Sequence, residues 1–335
     1  MTDLRRIPLV HGPTPLVKRR GLDDLLGIDL WIKRDDATGG AEAGNKVRKL
    51  EWLLGDAATR DANTVITCGG LQSNHARATA LACASLGLGC LLVLRVEDPA
   101  HTPLPATGNV LLDRMAGAEI RLISRSEYAQ RGAIMESAAL EMRDRGRRPY
   151  VVPEGGSNGL GSLGYVECMR ETAAQMRRGL AGGDAPFDVV VLACGSGGTA
   201  AGVALGAAKF GLARAVRAIA VCDDAAYFEK TIARIAAEAR AWDPSLGDPA
   251  PLVVDDTSKG PAYGVSTPEQ RETILRVARA SGLVLDPVYT GKAMHGLESA
   301  IERGDVPRGA KVLFLHTGGL PGLLAQGEAF GADLG

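Results

Sequence analysis

Glycine-rich turns in this chain carry side chains able to bind an anion or form an imine. One is Gly44-Asn45-Lys46-Val47-Arg48-Lys49-Leu50, behind Thr38-Gly39-Gly40. A lysine just inside a helix N-terminus sits in a partly positive field. With desolvation, that field lowers the amine pKa and makes Lys46 a better imine-forming nucleophile. Taken alone, the segment suits an ordinary first-turn lysine better, with Arg48 and Lys49 solvated or structural. A second turn, Cys194-Gly195-Ser196-Gly197-Gly198-Thr199, lies between a buried strand and a helix. Its glycines let the backbone approach an anion, free amides point at it, and Ser196 and Thr199 add hydroxyl donors. No lysine follows, so a nucleotide triphosphate is disfavoured, and the glycine spacing is not the full dinucleotide fingerprint. A single phosphate monoester fits.

A third turn runs Gly69-Gly70-Leu71-Gln72-Ser73-Asn74-His75-Ala76-Arg77. A helix N-terminus offering Gln72, Ser73, Asn74 and His75 suits a carboxylate, although N-capping by Ser73 or Asn74 needs only one of them. His75 reads equally as a base or a first-turn histidine. Aromatic residues are only 4% of the chain, so Tyr263 and Tyr289 in glycine-flanked loops draw notice, though either alone is more often a packed loop tyrosine. An amine, a phosphate cup, a carboxylate turn and two phenols together imply one cofactor, pyridoxal 5'-phosphate, which needs an imine lysine, a phosphate site and a controlled ring.

The elements that must position these groups alternate along the chain. Strands are expected at Thr64–Thr67, Gly89–Arg95, Glu119–Ile123, Arg148–Val152, Asp188–Ala193, Ala215–Val221 and Lys311–Leu315, mostly short continuous apolar runs of the kind buried on both faces of a parallel sheet. Helices are expected at Asn45–Ala58, Ala76–Leu86, Gly108–Met115, Ala133–Arg145, Gly164–Met176 and Thr199–Phe210. This alternation predicts an α/β fold of two doubly wound domains with parallel-rich open sheets, ligands lying beyond the carboxyl ends of the strands. The alanine-rich stretch from Asp223 to Pro251 reads as a helical excursion between strands.

The chain has 335 residues, 46% hydrophobic and 23% charged, so a packed core is expected. With 38 basic and 39 acidic side chains its net charge is −1, which disfavours a nucleic-acid partner. No apolar run is long enough to span a bilayer, and the first residues lack a secretory pattern. Six cysteines without CxxC spacing argue for reduced thiols, a cytoplasmic location and no metal centre. Cys68 and Cys194 flank the glycine turns but read as small apolar filler.

The sequence resembles the D-cysteine desulfhydrase and 1-aminocyclopropane-1-carboxylate deaminase family, within the tryptophan-synthase-β-like group of fold type II pyridoxal-phosphate enzymes. The resemblance is carried, nearly end to end, by Pro13-Thr14-Pro15-Leu16, Trp31-Ile32-Lys33-Arg34-Asp35-Asp36, Gly44–Leu50, Gln72–Arg77, Gly155-Gly156-Ser157, Gly195–Thr199, Leu285–Ala293 and His316-Thr317-Gly318-Gly319. It implies that Lys46 is the Schiff-base lysine, that Asn45 or Asn74 touches the ring hydroxyl, and that Gly195, Ser196, Gly197, Gly198 and Thr199 hold the phosphate. Gln72, Ser73, Asn74 and His75 resemble the substrate-carboxylate turn, and Tyr263 and Tyr289 the paired active-site tyrosines, so that Lys46, Ser73, Tyr263 and Tyr289 carry the catalytic roles. It further implies a homodimer, with residues 1–52 and 160–335 forming a larger cofactor domain, 53–159 a smaller one, and the site in the cleft between.

Thr290 and Thr317 sit where family members differ at the ring. The deaminases carry glutamate at the first position and leucine at the second; this chain has threonines, as the desulfhydrases do. A neutral hydroxyl partner leaves the ring a weaker electron sink, enough for a ready β-leaving group and unfavourable for opening a cyclopropane. The resemblance therefore implies a lyase in amino-acid metabolism that eliminates sulfide from D-cysteine, leaving pyruvate and ammonia, with Lys46 or a tyrosine removing the α-proton. The rivals are an L-cysteate sulfo-lyase or another leaving group, then the deaminase, and in a different class a non-catalytic phospho-ligand module. Departures from the family pattern are Ala43, Glu154 and Gly197. Lys259, before Tyr263, reads as a solvated loop charge, although facing the cleft it would suit an anionic β-group.

Overall fold

The most apolar runs of the chain, such as those in Thr64–Gly70 and Phe187–Cys194, become strands with little solvent contact. In the computed structural model, which describes residues 4–334, the strands are β1 (Leu16–Lys18), β2 (Asp29–Arg34), β3 (Thr64–Gly70), β4 (Gly89–Val96), β5 (Glu119–Ser124), β6 (Pro149–Val151), β7 (Phe187–Cys194), β8 (Ala213–Ala220), β9 (Leu252–Asp255) and β10 (Lys311–His316). They form a six-stranded sheet ordered β1-β2-β10-β7-β8-β9 and a four-stranded sheet ordered β5-β4-β3-β6. Every pairing is parallel except β1 with β2, where Leu16 faces Lys33. Helices connect the parallel strands, as crossover connections require. The expected α/β class with parallel-rich open sheets is therefore the one observed.

The two sheets share one core. Leu50, Leu53 and Leu54 of helix Asn45–Thr59 pack with Leu160, Leu163 and Val166 of helix Gly159–Arg177, in a cluster that also holds Val65 from the small sheet and Val190 and Leu192 from the large one. Full burial of each such leucine contributes about 1.5–3 kcal/mol. Helix Asn45–Thr59 runs unbroken across positions 52 and 53, where the sequence reading divides the chain. The second helix starts at Gly159 rather than Gly164, because the Asn158 side chain accepts the Gly161 amide at 2.8 Å and caps it.

Elements absent from the sequence reading include β1, β2, β9 and helices Arg20–Leu26, Arg125–Tyr128, Pro268–Ser281, Thr290–Glu302 and Leu320–Leu324. The excursion after β8 is helix Ala225–Trp242. Arg48 and Lys49 are not solvated: each is 1% exposed. Arg48 joins a buried polar network with Thr14, Lys33, Asp35, Tyr165 and Glu171 directly beneath the first turn of helix Asn45–Thr59. Among the described residues no helix is long and apolar enough to cross a membrane, and no cluster of side chains is arranged to hold a metal ion.

Candidate active site

The carboxyl ends of β3, β7 and β10 all release glycine-rich turns into one cleft of about 810 Å³ between the sheets. Lys46, on the first turn of helix Asn45–Thr59, lines it. Burial lowers its amine to about 8, with Glu154 and Cys194 opposing that shift. Among the described residues its Nζ has no hydrogen-bond or ion-pair partner, so a half-buried amine faces the cavity uncommitted.

The turn Gly195–Thr199 borders the same cleft beside that helix. Gly197 has φ +81°, a left-handed conformation that glycine adopts freely, and it caps helix Gly198–Lys209 without any side-chain acceptor. The first-turn amides are therefore available to an anion. A Cβ at Gly198 would stand 2.7 Å from Ser157 Oγ and 2.9 Å from Lys49 Nζ, so only glycine lets these donors crowd the loop. Lys49 donates to Gly155 O at 3.2 Å and Ser157 Oγ at 3.0 Å, and Ser157 Oγ lies 2.7 Å from Ser196 Oγ. Burial and the neighbouring Lys46 hold the Lys49 amine well below its ordinary value. Asn45 Nδ2 donates to Thr199 Oγ1 at 3.1 Å, tying the lysine helix to the phosphate-type turn. A compact cup of amides, hydroxyls and a buried amine suits a phosphate monoester, and the uncommitted Lys46 nearby suits the aldehyde of the ring. The donor set fits pyridoxal phosphate.

The β3 turn also reaches the cleft, but not with all its expected residues. Ser73 caps helix Asn74–Ser85, accepting from Ala76 N at 3.2 Å, and Ser73, Asn74 and His75 line the cavity. Gln72 does not. Its amide turns outward, accepting from Asn109 N at 2.7 Å and donating to Thr107 O at 3.2 Å, and so binds the neighbouring loop. Thr67 gives its proton to Val152 O, so His75 donates from Nε2 to Thr67 Oγ1 at 2.9 Å. Burial, then Lys46 and Lys49, push His75 well below its ordinary value, and among the described residues its Nδ1 has no hydrogen-bond partner. His75 is a neutral, oriented ring.

Tyr263 and Tyr289 meet, hydroxyl to hydroxyl, at 2.6 Å with their rings edge-on. Burial raises Tyr263 to about 12 and Tyr289 further, so both phenols stay protonated near neutrality. Asp286, a residue the sequence reading gave no role, positions this pair: it accepts from Val288 N, Tyr289 N and Thr290 N at 3.0, 3.0 and 2.8 Å. Its other partner is the Thr290 hydroxyl at 2.7 Å, which leaves Thr290 engaged there and outside the cleft lining, whereas Thr317 lines it. Lys259 also stays outside; its amine lies 3.6 Å from Asp256. Cys68 and Cys194 line the cleft as buried thiols pushed up to about 12 by burial.

Lys292 was likewise invisible as a functional lysine. It is fully buried and donates to Val221 O, Lys259 O and Ala262 O at 3.2, 2.6 and 3.1 Å, pinning the loop that ends in Tyr263. Lys292→Met should lower the unfolding free energy by about 1–3 kcal/mol through the unsatisfied carbonyls, read as a fall in the urea midpoint.

Residues 7–318 match the family model described as "Pyridoxal-phosphate dependent enzyme". The chain is 42% identical, over 98% of its length and 81% of the relative's, to a bifunctional D-cysteine desulfhydrase/1-aminocyclopropane-1-carboxylate deaminase of Arabidopsis thaliana. The chain belongs to this family of pyridoxal-phosphate dependent enzymes. It is 40% identical to a D-cysteine desulfhydrase of Yersinia pestis, covering 97% of each chain. A crystal structure of a 1-aminocyclopropane-1-carboxylate deaminase homologue superposes with a TM-score of 0.86 at 36% identity, covering 98% of this chain and 95% of that one. Pyridoxal phosphate is therefore the cofactor of this enzyme.

Proposed function

We propose that this enzyme eliminates the β-substituent of a small amino acid, D-cysteine first among them, converting D-cysteine and water to pyruvate, hydrogen sulfide and ammonia. One observation carries the reading: an uncommitted Lys46 amine, an uncapped helix N-terminus and a hydrogen-bonded tyrosine pair line a single cleft. Lys46 would hold the ring's aldehyde carbon covalently. The Gly195–Thr199 turn with Lys49 would hold the phosphate, Asn45 or Asn74 the ring hydroxyl, and Thr317 the ring nitrogen. Bound there, pyridoxal phosphate supplies an electron sink for the pair released at the substrate's α-carbon.

The remaining steps fall to the protein's own groups. The amide and side chain of Asn74 and the hydroxyl of Ser73, at a helix N-terminus, orient the substrate carboxylate. The α-proton goes to Lys46 or to the tyrosine pair, according to the face the substrate presents. Tyr263 and Tyr289 pass a proton between hydroxyls 2.6 Å apart, so either can protonate the departing sulfur. Neutral Thr317 at the ring, with no carboxylate offered by Thr290, supports elimination over cyclopropane opening. The named relatives of Arabidopsis and Yersinia support the same substrate.

We infer a homodimer, supported by helices Gly108–Met115 and Leu320–Leu324, which pack together and leave Leu111, Met115, Leu320 and Leu324 exposed. Free thiols at all six cysteines support a reducing compartment, the cytoplasm. The larger and smaller domains read from the sequence correspond, in this proposal, to the two sheets. Assays of keto acid, ammonia, sulfide and sulfite on the loaded enzyme with D-cysteine, L-cysteine, L-cysteate and 1-aminocyclopropane-1-carboxylate test the activity. D-cysteine should give the highest kcat/KM; no product from any of them would overturn the reading.

A further inference from the structure

The wall of the cleft contributed by the small sheet carries charges that the proposed chemistry does not use. Arg131 is neutralised there: its Nε lies 3.0 Å from Glu154 Oε2, while Glu154 Oε1 accepts the Tyr128 hydroxyl at 2.6 Å. Arg95, at the end of β4, has no such partner. It lines the cleft, is half-buried, and among the described residues its guanidinium makes no ion pair or hydrogen bond. Its guanidinium carbon instead stands over the rings of Tyr128 and Tyr263, 4.8 and 5.6 Å from their centroids. Stacking fixes a guanidinium's plane but leaves its N–H edge and its charge unspent.

The position of that charge relates it to the reaction. A Cβ at Gly70 would lie 3.3 Å from Tyr263 Cε1 and 4.0 Å from Arg95 Nη2, so Arg95 and Tyr263 converge on the same turn that ends in Ser73 and Asn74. Tyr263 in turn meets Tyr289, whose ring borders Gly195. The guanidinium therefore belongs to the side of the cleft that the tyrosine pair occupies, in the same cavity that Lys46 lines.

We propose that Arg95 is the specificity-determining residue for the β-substituent, taking the negative charge of a group that departs as an anion. In the elimination, the Cα–H pair becomes the Cα–Cβ double bond and the Cβ–S pair leaves with sulfur as hydrosulfide, which then takes one proton to become hydrogen sulfide. Hydrosulfide, the anion of a weak acid, makes a leaving group that gains from a facing cation. A sulfonate substituent, anionic before and after cleavage, gains in binding as well. Chloride, the anion of a very strong acid, needs no such help. Because Lys259 is held outside the cleft, Arg95 takes the role that an anionic substrate requires.

This assignment rests on the elimination reading, and the test separates the two. Wild type, Arg95→Gln and Arg95→Lys are compared on D-cysteine and β-chloro-D-alanine by pyruvate release. Arg95→Gln should lose about ten- to a hundredfold in kcat/KM on D-cysteine, the worth of a charge-assisted hydrogen bond. The loss on β-chloro-D-alanine should stay under about threefold, and Arg95→Lys should recover part of the cysteine activity. Equal losses on both substrates, or no loss, would overturn the Arg95 role alone; a wild type inactive on both would overturn the elimination reading beneath it. A second readout avoids turnover. On a Lys46→Ala background, calorimetric titration should give cysteate, as either enantiomer, about tenfold tighter binding than serine, and Arg95→Gln should erase that preference. A preference unchanged by the substitution would count against Arg95.

Discussion

Replacing Lys46 by alanine should abolish the visible absorbance of covalently attached pyridoxal phosphate and lower kcat on D-cysteine by at least about a thousandfold, because one amine serves as attachment point and as candidate base. The same amine predicts a pH dependence with a definite sign. Burial disfavours the ammonium form, so the folded value is lowered to about 8 from the ordinary 10.5. The neutral amine is the nucleophile. The rate at which apoprotein takes up the cofactor should therefore rise about fivefold from pH 7 to pH 8 and flatten above about pH 9, where an unperturbed lysine would still be climbing. Stopped-flow absorbance on the apoprotein measures it, and a rate still rising steadily at pH 10 would count against a lowered amine. Lys49→Ala makes the contrast. Its amine faces the Gly155–Ser157 backbone and the phosphate-type turn rather than the ring side. That variant should keep the covalent absorbance at saturating cofactor and lose affinity for it.

The groups whose place in the cleft was legible in the sequence were those set by local chain geometry. Ser196, Thr199 and Asn74 each sit at a strand-to-helix turn, and such a turn exposes amides in a known direction whatever surrounds it. Lys46, by contrast, reads as an ordinary first-turn lysine from its own segment and was singled out by the family resemblance. All four strands of the small sheet and the central β7, β8 and β10 of the large one were legible because parallel strands buried on two faces read as unbroken apolar runs, as at Val189–Leu192, whereas β1, β2 and β9 were not. What escaped was settled by contacts between distant segments. Gln72 occupies the right turn but finds Thr107 and Asn109 on a neighbouring loop. Thr290 aligns with a ring partner yet is held by Asp286 four residues earlier. Lys292 and Lys49 look like ordinary helix lysines and become buried donors only when loops far along the chain close over them. Helix Thr290–Glu302 was missed because its start is fixed by the Asp286 carboxylate, an acceptor placed before the usual capping position.

Asp35→Ala should destabilise the fold by about 3–5 kcal/mol, the cost of leaving a buried charge unpaired, against a total of about 5–15 kcal/mol for a protein domain. Asp35 is fully buried and accepts from Arg48 Nε and Nη2 at 2.8 Å each, from Tyr165 Oη at 2.7 Å and from Thr14 Oγ1 at 2.9 Å. Removing it strands a guanidinium that is 1% exposed, which Glu171 alone then has to balance while also holding Lys33 at 2.5 Å. The double variant Asp35→Leu/Arg48→Met should cost less than Asp35→Ala, since it removes both charges and fills the space with apolar volume. Burial by itself would raise the Asp35 carboxyl; the Arg48 charge and hydrogen bonds, with Lys33 and Tyr165, outweigh it and hold the group below its ordinary value. A carboxyl lowered on folding adds stability above its unfolded pKa of about 3.9 and gives it up as pH falls through the folded value. The melting temperature of the wild type should therefore drop steeply below about pH 4, and Asp35→Ala should flatten that drop. Arg48 lies two residues beyond Lys46, so the network fixes the first turn that aims the amine. The part of the variant that stays folded should still form the covalent absorbance, which separates a residue that carries the helix from one that does the chemistry.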